Sequence, residues 1–207
     1  VTPDLRLIVI TDDRLAAPRA IEDVVAECLA AGAPVIQLRD KASDDPGLLR
    51  RAVALRELCE AHGARLLVND RLDIALASGA HGVHLGPEDL PPEKARSLAP
   101  PGFLIGWSTR DPSAAARAAE VGADYVGCGP VYGTTTKHDA PAEPLGLEAL
   151  SRVVDVCPVP VVGIGGVDPE NAADVLGAGA AGVSVIRAVM ASPDPGDAVR
   201  RLLAARS

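Results

Sequence analysis

Arg39 and Lys41 stand two positions apart at the end of the apolar run that begins at Val35. Beyond a strand end, residues at i and i+2 point the same way. Two such cations repel each other unless an anion lies between them; the other reading is surface pairing with Asp40, Asp44 or Asp45. Asp70 and Asp89 each follow a further apolar run. Carboxylates converging from adjacent strand ends hold one hard cation, and Mg2+ with few protein ligands keeps waters and takes oxygens from a phosphate. The other reading makes each aspartate a helix N-cap. Thr134-Thr135-Thr136-Lys137 supplies hydroxyls, backbone donors and a cation, a set suited to phosphate or else to a solvated turn. Gly165-Gly166 precedes a helix start, where small residues let N–H groups approach a phosphate. Ser184-Val185-Ile186 followed by Arg187 makes a second anion cup. His81 and His84 read as structural, His62 as a helix-end residue and His138 as a loop residue. No Cys/His metal spacing and no G-x-S-x-G elbow is present. The set suggests one magnesium ion, a diphosphate site and a separate monophosphate site, so that two phosphorylated substrates meet in one pocket.

These residues need a scaffold that brings dispersed positions to one rim. Short β-branched apolar runs alternate with segments of helical period. The runs predict strands at Leu5–Ile10, Val35–Arg39, Arg65–Asn69, Gly82–Leu85, Phe103–Gly106, Tyr125–Gly127, Val159–Gly163 and Val183–Ile186. Strands so uniformly apolar suit a parallel sheet covered on its outer face. Helices are expected at Ala20–Ala31, Gly47–His62, Pro112–Val121 and Pro169–Leu176, the last with Asp168 as N-cap. The Thr- and Pro-rich stretch Gly133–Pro144 reads as a long functional loop. Ala31-Gly32-Ala33, Ser78-Gly79-Ala80, Val121-Gly122-Ala123 and Ala178-Gly179-Ala180 each close a helical segment before the second, fourth, sixth or eighth strand. A glycine there suits a left-handed C-cap. A repeating βα unit with eight strands predicts an α/β chain, a single (β/α)8 TIM barrel over residues 1–207, against the rival of an open doubly wound sheet. In a barrel the chemistry belongs at the C-terminal strand ends, which is where the charged residues above fall.

Composition narrows the function classes. The chain has 207 residues, 48% hydrophobic and 23% charged, the balance of a soluble globule that buries a substantial core. Aromatics make up only 2%, too few for a base-stacking platform, and the formal charge of −8 repels nucleic acid and anionic membranes. Cys28, Cys59, Cys128 and Cys157 are widely spaced, which fits a reducing, cytoplasmic setting better than a disulfide framework. No apolar run approaches ~20 residues, so no membrane span is expected, and Val1-Thr2-Pro3-Asp4 has no basic region leading into a long apolar stretch, so no signal peptide is expected. A homo-oligomer is compatible with the sequence.

The ordered set Gln37-Leu38-Arg39-Asp40-Lys41, Asn69-Asp70, His84-Leu85-Gly86-Pro87-Glu88-Asp89, Gly106-Trp107-Ser108, Gly129-Pro130-Val131-Tyr132, Thr136-Lys137 and Gly163-Ile164-Gly165-Gly166 resembles the thiamine phosphate synthases, from Leu7 to Val189. The resemblance implies a (β/α)8 barrel that joins hydroxymethylpyrimidine diphosphate to a thiazole phosphate, by a dissociative, carbocation-like route that needs no protein nucleophile. It implies that Arg39, Lys41 and Lys137 hold the diphosphate. Gln37, Leu38, Asp40, Asn69 and Ser108 would line the pyrimidine site, and Asp70 and Asp89 would hold one Mg2+ per subunit. Thr134, Thr135, Thr136, Gly166, Ile186 and Arg187 would meet the thiazole phosphate. The chain departs from the family's usual residues at Pro87, Gly133 and Arg187, where Gln, Pro and Ser are common. The sister family of thiazole tautomerases resembles the synthases but depends on a His shortly after strand five, where this chain reads Ser108-Thr109-Arg110. That family also tends to lose the Thr-x-Thr-Lys loop, which is present here. A tautomerase-like isomerase and a non-catalytic ligand-binding barrel are the alternatives.

Overall fold

Each of the eight apolar runs becomes a parallel strand. A computed structural model of the chain describes residues 4–134 and 143–205. Its strands are β1 (Leu7–Ile10), β2 (Val35–Leu38), β3 (Arg65–Asn69), β4 (Gly82–Leu85), β5 (Leu104–Ser108), β6 (Tyr125–Cys128), β7 (Val161–Ile164) and β8 (Gly182–Val185). They pair in sequence order, all parallel, and β8 returns to β1, so the sheet closes into a barrel. The helices are α1 (Asp13–Ala16), α2 (Ile21–Ala30), α3 (Asp45–Ala61), α4 (Leu72–Ala77), α5 (Pro92–Leu98), α6 (Pro112–Ala115), α7 (Leu147–Val156), α8 (Ala172–Gly177), α9 (Arg187–Met190) and α10 (Pro195–Ala204).

The strands are mostly apolar because both faces are covered. In β1 all four residues of Leu-Ile-Val-Ile are buried. Outside the barrel, α2 buries Ile21, Val24, Val25, Cys28 and Leu29, a stripe of helical period. Each fully buried aliphatic side chain there contributes about 1.5–3 kcal/mol. The Gly-Ala echo is the device that turns the chain back into the barrel before every second strand. Gly32, Gly79, Gly122 and Gly179 have φ of 95°, 70°, 82° and 92°. In each case the next residue's N–H reaches a carbonyl five positions back, as Ala33 does to Cys28 at 3.0 Å. Gly63 repeats the device at φ 67°, with Ala64 N–H on the Cys59 carbonyl.

Several boundaries differ from the sequence expectation. β5 runs on through Trp107 to Ser108, because those residues still pair with Val126 and Gly127 of β6. The helix expected over Pro112–Val121 keeps regular form only to Ala115; after it, Arg117 and Ala118 bond to carbonyls three residues back, in tighter turns. Asp168 does not cap α8. Its carboxylate takes the N–H groups of Glu170 and Asn171 at 2.9 and 3.1 Å, forming a turn, and the helix begins after Asn171. Among the described residues, no helix is long and apolar enough to cross a membrane.

Candidate active site

The C-terminal rim of the barrel gathers groups from all eight strands. At the end of β1, Thr11 and Asp12 are buried. The Thr11 hydroxyl donates to the Arg39 carbonyl at 3.2 Å and accepts the Arg39 N–H at 2.9 Å, which clamps the start of the β2 loop. The Asp12 carboxylate caps α1 by accepting from Arg14 and Leu15, and lies 3.5 Å from the Arg39 guanidinium. Both side chains are largely covered, 3% and 11% exposed, so this ion pair holds Arg39 in place against little solvent competition. Lys41 pairs instead with Asp70. The two cations therefore engage different carboxylates of the rim, and neither takes Asp40, Asp44 or Asp45. Asp40 accepts from the Ala42 and Ser43 N–H groups, the Ser43 hydroxyl and Arg51, and these donors hold its carboxyl below the ordinary range despite burial. Asp44 caps α3, and Asp45 pairs with Arg71.

Asp70 is the one non-glycine with a left-handed backbone among the described residues, at φ 66°. An aspartate there costs free energy that a glycine would not, and such strain gathers at functional sites. Its N–H donates to the His84 carbonyl at 2.8 Å, which ties the β3 end to β4. Asp89 accepts the Gly86 N–H at 2.7 Å, and its carboxyl is pushed up by burial and by the neighbouring Asp70 carboxylate, with Lys41 opposing. Neither aspartate caps a helix: the residue before α4 is Arg71 and the residue before α5 is Pro91. Two neighbouring oxygen-donor carboxylates fit a hard divalent cation, whose other ligands would be waters and substrate oxygens. No cluster of three or more His, Cys, Asp or Glu side chains suited to a metal occurs among the described residues. Such a cation would thus rest on this pair.

Inside the mouth, a small cavity of about 10 Å³ is lined by Ile8, Ile10, Gln37, His84, Tyr125, Gly127, Val162, Ile164 and Ser184. Gln37 is 1% exposed and its Oε1 has no partner among the described residues, so it awaits a donor. His84 bridges two strands. Its Nδ1 lies 2.8 Å from the Tyr125 hydroxyl and its Nε2 2.8 Å from Ser108 Oγ. Asn69 is buried nearby at the end of β3. Leu38 sits in the core, so its side chain faces no opening.

A larger cleft of about 610 Å³ opens beside it, lined among others by Gly133, Thr134, Gly165, Gly166, Ile186 and Arg187. That size suits a small-molecule ligand. A Cβ on Gly166 would stand 2.6 Å from the Gly133 carbonyl oxygen, and φ is 70°, so only glycine fits this wall. Gly133 itself has φ 84°, which proline does not adopt, and the turn here differs accordingly from one built on proline. Arg187 is exposed at the first turn of α9 and lines the cleft. Thr135, Thr136 and Lys137 lie outside the described residues. Ile164 and Ser184 line both the small cavity and the cleft, so the two compartments share a wall. The sequence analysis did not single out Asp12, Thr11 or Tyr125. Asp12 carried one signal, an acidic residue at the end of the first strand.

A closed barrel with cations, paired carboxylates and a glycine-walled cleft at its C-terminal rim defines an enzyme that handles phosphorylated small molecules. The chain belongs to the thiamine monophosphate synthase family, whose model matches residues 7–189, and it is a transferase of thiamine biosynthesis. It is 48% identical over 196 residues to a thiamine-phosphate synthase of Methanoculleus marisnigri, covering 95% of this chain and 92% of that one. It is 50% identical over 181 residues to a thiamine biosynthesis bifunctional protein ThiM/ThiE of Symbiobacterium thermophilum, covering 87% of this chain but 38% of that longer protein. Among solved structures, a thiamine phosphate pyrophosphorylase from Pyrococcus furiosus superposes with a TM-score of 0.88 at 40% identity, over 97% of this chain and 95% of that one.

Proposed function

We propose that this rim, within a single barrel domain acting in the cytoplasm, transfers the hydroxymethylpyrimidine group from its diphosphate to the nitrogen of a thiazole phosphate. The products are thiamine phosphate and pyrophosphate. The observation that carries the reading is the shared wall of Ile164 and Ser184, with the unpaired Gln37 Oε1 in the small cavity on one side and a cleft of small-molecule size on the other. The pyrimidine ring would enter against Gln37, Asn69 and Ser108, and the thiazole phosphate would rest on Thr134, Gly166, Ile186 and Arg187 with Thr135 and Thr136. The carbon–oxygen bond to the diphosphate breaks with its electron pair leaving on pyrophosphate, and the thiazole nitrogen's lone pair forms the new carbon–nitrogen bond. Arg39, Lys41 and Lys137 stabilise the charge that grows on the departing group, more in the transition state than before it. Asp12 holds Arg39 at that position. Asp70 and Asp89 would hold a magnesium ion, which supplies further positive charge to the diphosphate when bound. Juxtaposing the two rings supplies the rest of the acceleration. The free thiols of Cys28, Cys59, Cys128 and Cys157 support the cytoplasmic setting.

The test is turnover by the purified chain with Mg2+ and both substrates. Thiamine phosphate and pyrophosphate are expected in equal amounts, with none when either substrate or the metal is withheld. Absence of product at high enzyme concentration, or turnover of a phosphorylated thiazole alone that survives a chelator, would overturn the reading.

A further inference from the structure

We propose that His84 and Tyr125 are positioning residues that make Ser108 a hydrogen-bond donor toward the pyrimidine ring, by holding the His84 imidazole as its Nε2–H tautomer. The proposal deepens the reading above and rests on it for the identity of the ring.

The Tyr125 side chain is fully buried in the barrel, and among the described residues its hydroxyl has one hydrogen-bond partner, His84 Nδ1 at 2.8 Å. A buried phenol keeps its proton and needs an acceptor for it; burial also pushes the Tyr125 phenol well above its ordinary range. The acceptor within reach is Nδ1. A neutral imidazole that accepts at Nδ1 carries its proton on Nε2. That proton meets Ser108 Oγ at 2.8 Å, so Ser108 accepts from the ring and its own O–H is turned away from His84. The reverse wiring has Ser108 donating to Nε2 and Nδ1–H donating to the phenol. It would leave the phenol proton without an acceptor at hydrogen-bond distance among the described residues, facing a small cavity lined by Ile8, Ile10, Gln37, Val162 and Ser184.

The barrel makes room for this relay. A Cβ on Gly106 would stand 2.2 Å from Tyr125 Cζ and 2.5 Å from His84 Nδ1, and a Cβ on Gly127 would stand 2.9 Å from His84 Cε1. The consequence is a defined polarity at the barrel mouth: a donor at Ser108, where β5 ends, and an acceptor at Gln37 Oε1 in the cavity wall. An aminopyrimidine, with an acceptor ring nitrogen beside a donor amino group, complements both. An oxopyrimidine, which presents a ring N–H and a carbonyl on that edge, opposes both and leaves buried groups unpaired.

The tautomer is read directly by long-range 1H–15N correlation on the full chain labelled with 15N-histidine and free of substrates, with the His84 signals assigned by their loss in His84→Gln. Nε2 protonated and Nδ1 unprotonated is expected, unchanged in Ser108→Ala and lost or mixed in Tyr125→Phe. An Nδ1–H signal in the unsubstituted protein, which would mean that the phenol proton has found another acceptor such as a bridging water, overturns the proposal; so does an imidazolium. In turnover, Tyr125→Phe is expected to raise KM for the pyrimidine diphosphate roughly two- to tenfold, the worth of one neutral hydrogen bond, with KM for the thiazole phosphate unchanged. Equal changes in both would mark a merely structural role and overturn it. The unsubstituted spectrum needs neither folding of a variant nor turnover, so failure of the relay and failure of the proposed reaction are separately visible.

Discussion

Replacing Asp89 by asparagine should stabilise the metal-free protein and weaken its response to magnesium. Asp89 and Asp70 are neighbours whose charges oppose each other, with Lys41 offsetting part of the repulsion. Two like charges about 4 Å apart repel by about 1 kcal/mol in water and about 4 kcal/mol at the effective dielectric of a protein surface. With Lys41 present, a relief of about 1–2 kcal/mol is expected. The asparagine side-chain oxygen still accepts the Gly86 N–H that Asp89 holds at 2.7 Å, so the loop keeps its turn. For a chain of this size about 1 kcal/mol moves Tm by about 2–4 °C, so Asp89→Asn should melt about 2–8 °C higher in a chelator. Magnesium with pyrophosphate should remove most of that advantage. A ligand at a hundred times its Kd stabilises by about 2.7 kcal/mol, and a tenfold loss of affinity leaves about half of that. Thermal unfolding with chelator, and again with magnesium and pyrophosphate, reads both effects without any turnover. A variant that melts lower than the parent in chelator, or gains as much from magnesium, would refute the assignment of the pair.

Gly166→Ala should raise KM for the thiazole phosphate at least tenfold while sparing KM for the pyrimidine diphosphate, because the new methyl would meet the Gly133 carbonyl at 2.6 Å and push the cleft wall inward; steady-state kinetics against each substrate checks this. Lys137→Ala should lower kcat by at least about a hundredfold with Tm within about 1 °C of the parent, the pattern of a charge that acts on the leaving group; an unchanged kcat removes that role. His81 should make stability depend on pH. Burial lowers its affinity for a proton, with Arg65 and Arg56 adding to the effect and Glu60 opposing, and its Nδ1 accepts the Leu66 N–H at 3.0 Å. The folded form therefore binds fewer protons than the unfolded chain, so stability is full above about pH 6.5 and falls as pH drops through the lower folded value. Unfolding free energy measured from pH 7 to 5 should lose that slope in His81→Gln, and an identical slope would exonerate His81.

The barrel was legible because two periodic signals agreed: apolar runs at βα spacing, and a Gly-Ala pair before every second strand where the chain reverses. Gly32 and Gly179 need left-handed backbone whatever surrounds them, so local sequence suffices to reveal them. The end of α6 was not legible, because the Ala-rich stretch after Ala115 has the propensity to continue while tertiary packing tightens it into turns. Arg39, Lys41, Asp70 and Asp89 stood out as charges at strand ends. Their partners did not: which carboxylate Arg39 takes depends on Asp12, 27 positions away in sequence and brought beside it only by the β1–β2 pairing. His84 looked structural for the same reason. Its ring partners Ser108 and Tyr125 come from β5 and β6, and nothing in a strand that reads Gly-Val-His-Leu announces them.

The account turns on two compartments that meet at one wall, and a crystal structure of the protein with thiamine phosphate, pyrophosphate and Mg2+ tests this most directly. The account predicts the pyrimidine ring between Gln37 and Ser108, the phosphate of the thiazole half at Gly166, and pyrophosphate with its metal bounded by Arg39, Lys41, Asp70 and Asp89. Thiamine phosphate bound away from the Ile164–Ser184 wall, or a metal held by neither aspartate, would contradict it.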